Sequence, residues 1–263
     1  MEEKKPFKIV SAKRSRYILP NVITLIGVCL GISSIKFSLD QNYSIAIIFL
    51  LAAALLDGLD GRIARLIDGT SEFGKELDSL TDFVSFGIAP ALIIYFWELN
   101  KYGKIGWAIV LIFSICCVLR LARFNLTQVK KNEQWRVNFF EGVPSPAGAI
   151  LVLLPLIYEI SNFELPFSID RFIPFYVIFI AVLLISKVPT LSFKKITIPR
   201  KLTIFLLLST GVIFFSLILY TFETLFILGL VYLLLIPIGV IIFQKKSKNI
   251  NQTLPEDDDE DIL

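Results

Sequence analysis

The chain of 263 residues contains no histidine. Proton transfer near neutral pH therefore falls to a carboxylate, lysine, tyrosine, cysteine or water, and histidine-based chemistry of the phospholipase D kind is excluded. Cysteine is scarce: Cys29, Cys116 and Cys117 are the only three, each within an apolar run. They offer neither a disulfide framework nor the ligands of a zinc site. The first 20 residues are polar and basic without an apolar h-region, so no cleavable signal peptide is expected.

What the chain has in excess is apolar sequence. It is 55% hydrophobic with a mean hydropathy of +0.73, which excludes an ordinary soluble domain and implies an all-α polytopic membrane protein. The net charge of +3 says little, because the charges are segregated along the chain. Eight apolar stretches are near the ~20 residues that a spanning helix requires: roughly 21–37, 43–57, 82–99, 104–124, 146–160, 172–187, 202–220 and 224–243. Residues 1–19 carry Lys4, Lys5, Lys8, Lys13, Arg14 and Arg16 among Phe7, Ile9, Val10 and Tyr17. They read either as an amphipathic segment on an anionic leaflet or as a disordered basic tail. Pro20 and Asn21 open the first span, Asn21 either capping that helix or touching a ligand. Residues 245–263 read as a charged, disordered tail ending in an acidic run.

Loop charges set the topology. With the N-terminus in the cytoplasm, that side receives the 57–82 segment, the 125–145 and 188–201 loops and the C-terminus. It then holds Lys130, Lys131, Arg136, Lys194, Lys195, Arg200, Lys201, Lys245 and Lys246, against Lys36, Lys101, Lys104 and Arg171 opposite. Both termini and the 57–82 segment are therefore expected to face the cytoplasm.

That segment, DGLDGRIARLIDGTSEFGKELDSLTD, lies between the apolar runs Ile45–Leu56 and Phe83–Tyr95. Asp57 and Asp60 are three apart and Asp78 and Asp82 four apart, so on helices each pair shares one face. Ionisable groups at the mouth of a membrane bundle are expensive to desolvate and point to function. Two such faces brought together form an oxygen cage for a hard cation such as Mg2+, Mn2+ or Ca2+; without cations the carboxylates would repel one another. Gly61 and Gly74 lack a Cβ, which lets a planar base or a pyrophosphate approach the backbone. Arg65 brings a guanidinium fork within reach of a phosphate oxygen. Helix capping and surface pairing account for one or two of these aspartates, not for four together with Arg65 and two placed glycines.

The pattern Asp57-x2-Asp60-Gly61-x2-Ala64-Arg65-x8-Gly74-x3-Asp78-x3-Asp82 resembles, without departure, the signature of the CDP-alcohol phosphatidyltransferase family. The resemblance spans about residues 20–200 and implies a six-helix core, which leaves residues 201–244 as two additional C-terminal spans. It implies two divalent ions, Mg2+ or Mn2+, held by Asp57, Asp60, Asp78 and Asp82, and no organic cofactor. It also implies a nucleotide site at Asp60, Gly61, Ala64, Arg65 and Gly74. Asp82 is implied as the general base on the incoming hydroxyl, a role that the absence of histidine also favours.

Three further stretches resemble the branch of the family that joins CDP-diacylglycerol to L-serine: Phe83–Ala91, Arg120-Leu121-Ala122-Arg123-Phe124-Asn125, and Phe140–Ala147. A zwitterionic acceptor needs a cation for its carboxylate. Arg120 and Arg123, three apart on one helix, either hold that carboxylate or a lipid phosphate, or simply mark a cytoplasmic span end. Ser85 and Asn125 are candidate polar partners. Residues 142–146 form either a rigid turn or a substrate contact. The expected partners are CDP-diacylglycerol, L-serine, membrane lipids and a second copy of the chain, with no nucleic acid. Competing expectations are a sister transferase for glycerol 3-phosphate, inositol phosphate or choline, and an ion or solute transporter coupled through the carboxylates.

Overall fold

The computed structural model describes residues 12–67, 69, 71–126, 139–161, 163, 170–191 and 200–253. The acidic end of the tail, the first eleven residues, and the loop lysines and Arg136 lie outside the described residues. The chain falls into two compact units, one of residues 1–127 and 144–185, the other of residues 128–143 and 186–263.

The first unit opens with a helical hairpin, α1 (Ala12–Leu39) and α2 (Tyr43–Leu66). Its turn at Asp40–Asn42 falls between the first two expected spans, with Gln41 at φ 61°. α1 does not begin at Pro20, as the sequence suggested, but runs through it from Ala12. Proline costs a helix one backbone donor, and here the carbonyl of Pro20 itself lies 3.0 Å from the Thr24 hydroxyl.

α2 likewise outlasts its expected end near Asp57 and continues to Leu66. Then α3 (Glu72–Asp82) starts ten residues earlier than the expected span, capped by Ser71, whose hydroxyl accepts from the Gly74 N–H at 2.9 Å. In both cases apolarity ends before helical hydrogen bonding does. The four aspartates therefore lie on helices; Asp78 stands in the body of α3 and Asp82 is its last residue, so neither is at its N-terminus.

α3 passes directly into wider π-helical turns at Phe83–Ile88 and then into α4 (Ala89–Trp97). Pro90 has no N–H for the carbonyl one α-turn back, and the widened turns upstream absorb the break. After a short 3-10 turn, α5 (Gly103–Leu126) follows. It buries Gly106, Ile109, Val110, Phe113, Cys117 and Leu121 on one face and exposes Ile105, Leu111, Ile112, Ile115 and Leu119 on the other. A helix apolar on both faces belongs in lipid rather than water.

The stretch expected as one span at 146–160 is two helices, α6 (Ser145–Val152) and α7 (Leu154–Ile160). Pro155 cannot donate to the carbonyl of Leu151. That carbonyl instead accepts from the Tyr176 hydroxyl at 2.7 Å, a side chain of α8 (Ile173–Ile185). Thus α8 repairs the break that proline makes.

In the second unit, β1 (Phe139–Glu141) and β2 (Pro189–Leu191) form a two-stranded antiparallel ribbon with Phe140 opposite Thr190. Two helices complete it, α9 (Arg200–Leu219) and α10 (Thr221–Thr253). Among the described residues, five helical stretches are long and apolar enough to cross a membrane: Ile18–Leu39, Tyr43–Leu66, Glu72–Trp97, Leu99–Leu126 and Thr221–Gln244. The protein is thus an all-α polytopic membrane protein.

Candidate active site

The first unit brings the four aspartates together by a simple device. Asp57 and Asp60 occupy one face of the last turns of α2, Asp78 and Asp82 one face of α3, and both helices pack on α1. Oxygens of Asp57, Asp60 and Asp78 all lie within 4.8 Å of one another. The carboxyl groups of Asp82 and Asp57 adjoin, and the Asp82 Oδ1 is buried without a hydrogen-bond partner among the described residues. A buried acceptor left unpaired is costly. It calls for a cation or a proton.

Asp60 is the most enclosed of the four, 3% exposed. Its Oδ2 accepts from the Thr24 hydroxyl at 2.5 Å, a residue that sequence reading missed. No local spacing could have revealed it, because the partners are 36 positions apart and meet only when α1 packs on α2. Gly31 sets how closely α1 approaches the wide turns after Asp82: a Cβ there would stand 2.7 Å from the Ser85 hydroxyl. Ser85 is buried and, with Asp57, Asp60, Asp82 and Thr24, lines a small recess of about 10 Å³.

On the other side of Asp60 and Asp78 lies an open cleft of about 210 Å³. All five expected nucleotide positions, Asp60, Gly61, Ala64, Arg65 and Gly74, line it. Asn21, Ser71 and Lys75 also line it. Asn21 is therefore placed at the cleft; Lys75, beside Gly74, went unremarked in the sequence. The two glycines serve different ends. A Cβ at Gly61 would meet open space, whereas one at Gly74 would stand 3.1 Å from the Ser71 Oγ and 3.2 Å from the Asn21 Oδ1. Gly74 thus keeps α1 and α3 close; Gly61 leaves the cleft wall low. The Arg65 Nε donates to the Gly61 carbonyl at 2.9 Å, which folds its base against α2.

The remaining candidates separate. Arg120 stands close enough to Asp57 and Asp82 to act on both electrostatically. It donates from Nη1 to the Ser145 Oγ at 2.5 Å, and its Cζ lies 5.4 Å from the Phe124 ring centroid. Arg123 instead donates to the carbonyl of Ile185 at 2.7 Å, the last residue of α8, where a cation satisfies a helix C-terminus. Asn125 donates to the Ser79 hydroxyl at 2.8 Å and ties α5 to α3.

An all-oxygen cage at the end of membrane helices, opening on a cleft with Arg65 and Lys75 on its walls, defines a site for a hard cation and an anionic ligand. The model of the CDP-alcohol phosphatidyltransferase family matches residues 17–192, and the chain belongs to that family. It is 35% identical over 224 residues to the CDP-diacylglycerol–serine O-phosphatidyltransferase of Mycobacterium tuberculosis, covering 85% of this chain and 78% of that one. The enzyme of the same name from Helicobacter pylori is 35% identical over 198 residues, 75% of this chain and 82% of the relative. The archaetidylserine synthase of Methanothermobacter thermautotrophicus is 35% identical over 174 residues, 65% and 68% of the two chains. Divalent metal is implied by the family, and the residues present fit it: three carboxylates offer converging oxygens and a fourth has a buried oxygen still lacking a partner.

Proposed function

We propose that the protein transfers the phosphatidyl group of CDP-diacylglycerol to the hydroxyl of L-serine, releasing CMP and forming phosphatidylserine. The observation that carries this reading is the convergence of Asp57, Asp60 and Asp78, with Asp82 against Asp57, on a cage that borders the cleft lined by the motif residues. Serine as acceptor is supported by the relatives, whose names share it across bacterial and archaeal lipids. The transporter expectation falls with membership of a transferase family.

In this reading Gly61, Ala64, Arg65 and Gly74 receive the cytidine diphosphate in the cleft. Asp57, Asp60, Asp78 and Asp82 would hold divalent metal, as two ions of Mg2+ or Mn2+. Bound metal supplies polarisation of the diphosphate and offsets charge on the departing nucleotide. Arg120, beside Asp57 and Asp82, takes the acceptor's carboxylate with its guanidinium fork. Ser85 borders the reacting end. Asp82 removes the hydroxyl proton, and the seryl oxygen forms its bond to the lipid-side phosphorus. The bond from that phosphorus to the bridging oxygen breaks, and CMP leaves with that oxygen. Arg123 and Asn125, held by Ile185 and Ser79, support the wall rather than the ligand.

The wider arrangement belongs to the same proposal. The core of residues 20–200 supplies six spans and residues 201–244 two more, in a prokaryotic cytoplasmic membrane with both termini and the aspartates on the cytoplasmic side. The loop charges support that orientation, and it gives water-soluble serine direct access. A homodimer is the assembly that family resemblance implies. The test is CMP release from CDP-diacylglycerol by purified protein with Mn2+, with the acceptor varied. Release that requires L-serine supports the proposal; equal release with glycerol 3-phosphate or choline in its place refutes the acceptor assignment.

A further inference from the structure

We propose that Ser145 is a positioning residue for acceptor recognition, its buried hydroxyl aiming the Arg120 guanidinium at the acceptor's carboxylate. The inference rests on the reading above of Arg120 as the group that binds serine. Ser145 is the first residue of α6 and is fully buried. The N-cap of α6 is Pro144, so the Ser145 hydroxyl is not occupied in capping that helix. It receives the Arg120 Nη1 at 2.5 Å instead. The Cys117 Sγ, one turn earlier on α5, lies 3.8 Å from the same oxygen.

Constraints of different kind therefore act on one side chain. Ser145 fixes the edge of the guanidinium, and the Phe124 ring, 5.4 Å from Cζ, lies against it from the next turn of α5. A flexible arginine is turned into a directed one. The support is itself stiff, because Ser145 stands between Pro144 and Pro146, whose φ angles are fixed. In the sequence this stretch reads as either a turn or a substrate contact; its place in the fold is one step behind the substrate.

The experiment measures KM for L-serine, KM for CDP-diacylglycerol and kcat for the full chain with Mn2+, in wild type, Ser145→Ala, Ser145→Cys and Arg120→Lys. A hydrogen bond to a charged group is worth roughly ten-fold or more in an equilibrium constant. Ser145→Ala is therefore expected to raise KM for serine about ten-fold while KM for CDP-diacylglycerol stays within about two-fold. Ser145→Cys, nearly the same size with a poor acceptor, should show the same split, and carries the test if the alanine variant does not fold. In an Arg120→Lys background, Ser145→Ala should add less than about two-fold, because its effect runs through the arginine.

Serine-dependent turnover with an unchanged serine KM in both Ser145 variants would overturn the assignment alone. So would equal losses for donor and acceptor, or a full additional loss in the Arg120→Lys background. Turnover indifferent to serine in the wild type would overturn the acceptor reading and this assignment with it.

Discussion

Thr24 offers the sharpest test of how the cage is held. Its hydroxyl donates to the Asp60 Oδ2 at 2.5 Å, and Asp60 is 3% exposed. The valine variant keeps the branched shape and removes the donor, so the carboxylate loses one fixed partner without a cavity opening beside it. A hydrogen bond to an ionised group contributes about 1.5–3 kcal/mol. Removing a partner that orients a metal ligand typically weakens metal affinity about 10–100-fold. Thr24→Val should therefore weaken Mn2+ binding by at least about ten-fold, read by calorimetric titration of the purified protein without substrate. Thr24→Ser retains the hydroxyl and should stay within about three-fold of wild type in Mn2+ affinity, because the buried methyl it loses, worth about 0.8 kcal/mol, packs the helices without holding the carboxylate. Mn2+ affinity unchanged in Thr24→Val would refute the claim that α1 orients the cage.

Two glycine substitutions probe the close approaches that set the site's shape. Gly31→Ala places a Cβ 2.7 Å from the Ser85 Oγ and 3.1 Å from its Cα, and backbone cannot swing aside as a side chain can. Overpacking of this kind costs about 1–3 kcal/mol, so its melting temperature in detergent should fall. Gly74→Ala meets only side-chain oxygens, at 3.1 and 3.2 Å. It should leave melting nearly unchanged yet weaken CMP binding several-fold by displacing Asn21 from the cleft wall.

The spacing of the carboxylates carried most of the site. Three and four residues apart on helices, the aspartates had to share faces, and the structure brings three of them within 4.8 Å of one another with Asp82 against Asp57. The helix limits were less legible, because apolarity marks where lipid ends, whereas Leu66 and Ser71 mark where backbone hydrogen bonding stops or starts. The division at Leu153 had a visible cause in Pro155, but its repair by Tyr176 did not. Thr24 against Asp60 and Arg120 against Ser145 were invisible for a common reason: each joins residues 25 or more positions apart, and only packing decides such pairs. The two arginines of the Arg120–Asn125 stretch look equivalent as sequence. One turn of helix gives them different partners, Ser145 for one and the end of α8 for the other.

The account stands most directly on Asp82, the aspartate with a buried oxygen that no described residue satisfies. Asp82→Asn keeps the shape and removes the base. Phosphatidylserine formation from labelled L-serine should fall by about 10²–10⁴-fold, the usual worth of a positioned general base, while CMP binding in the cleft persists. Turnover near the wild-type rate in Asp82→Asn would contradict the mechanism at its centre.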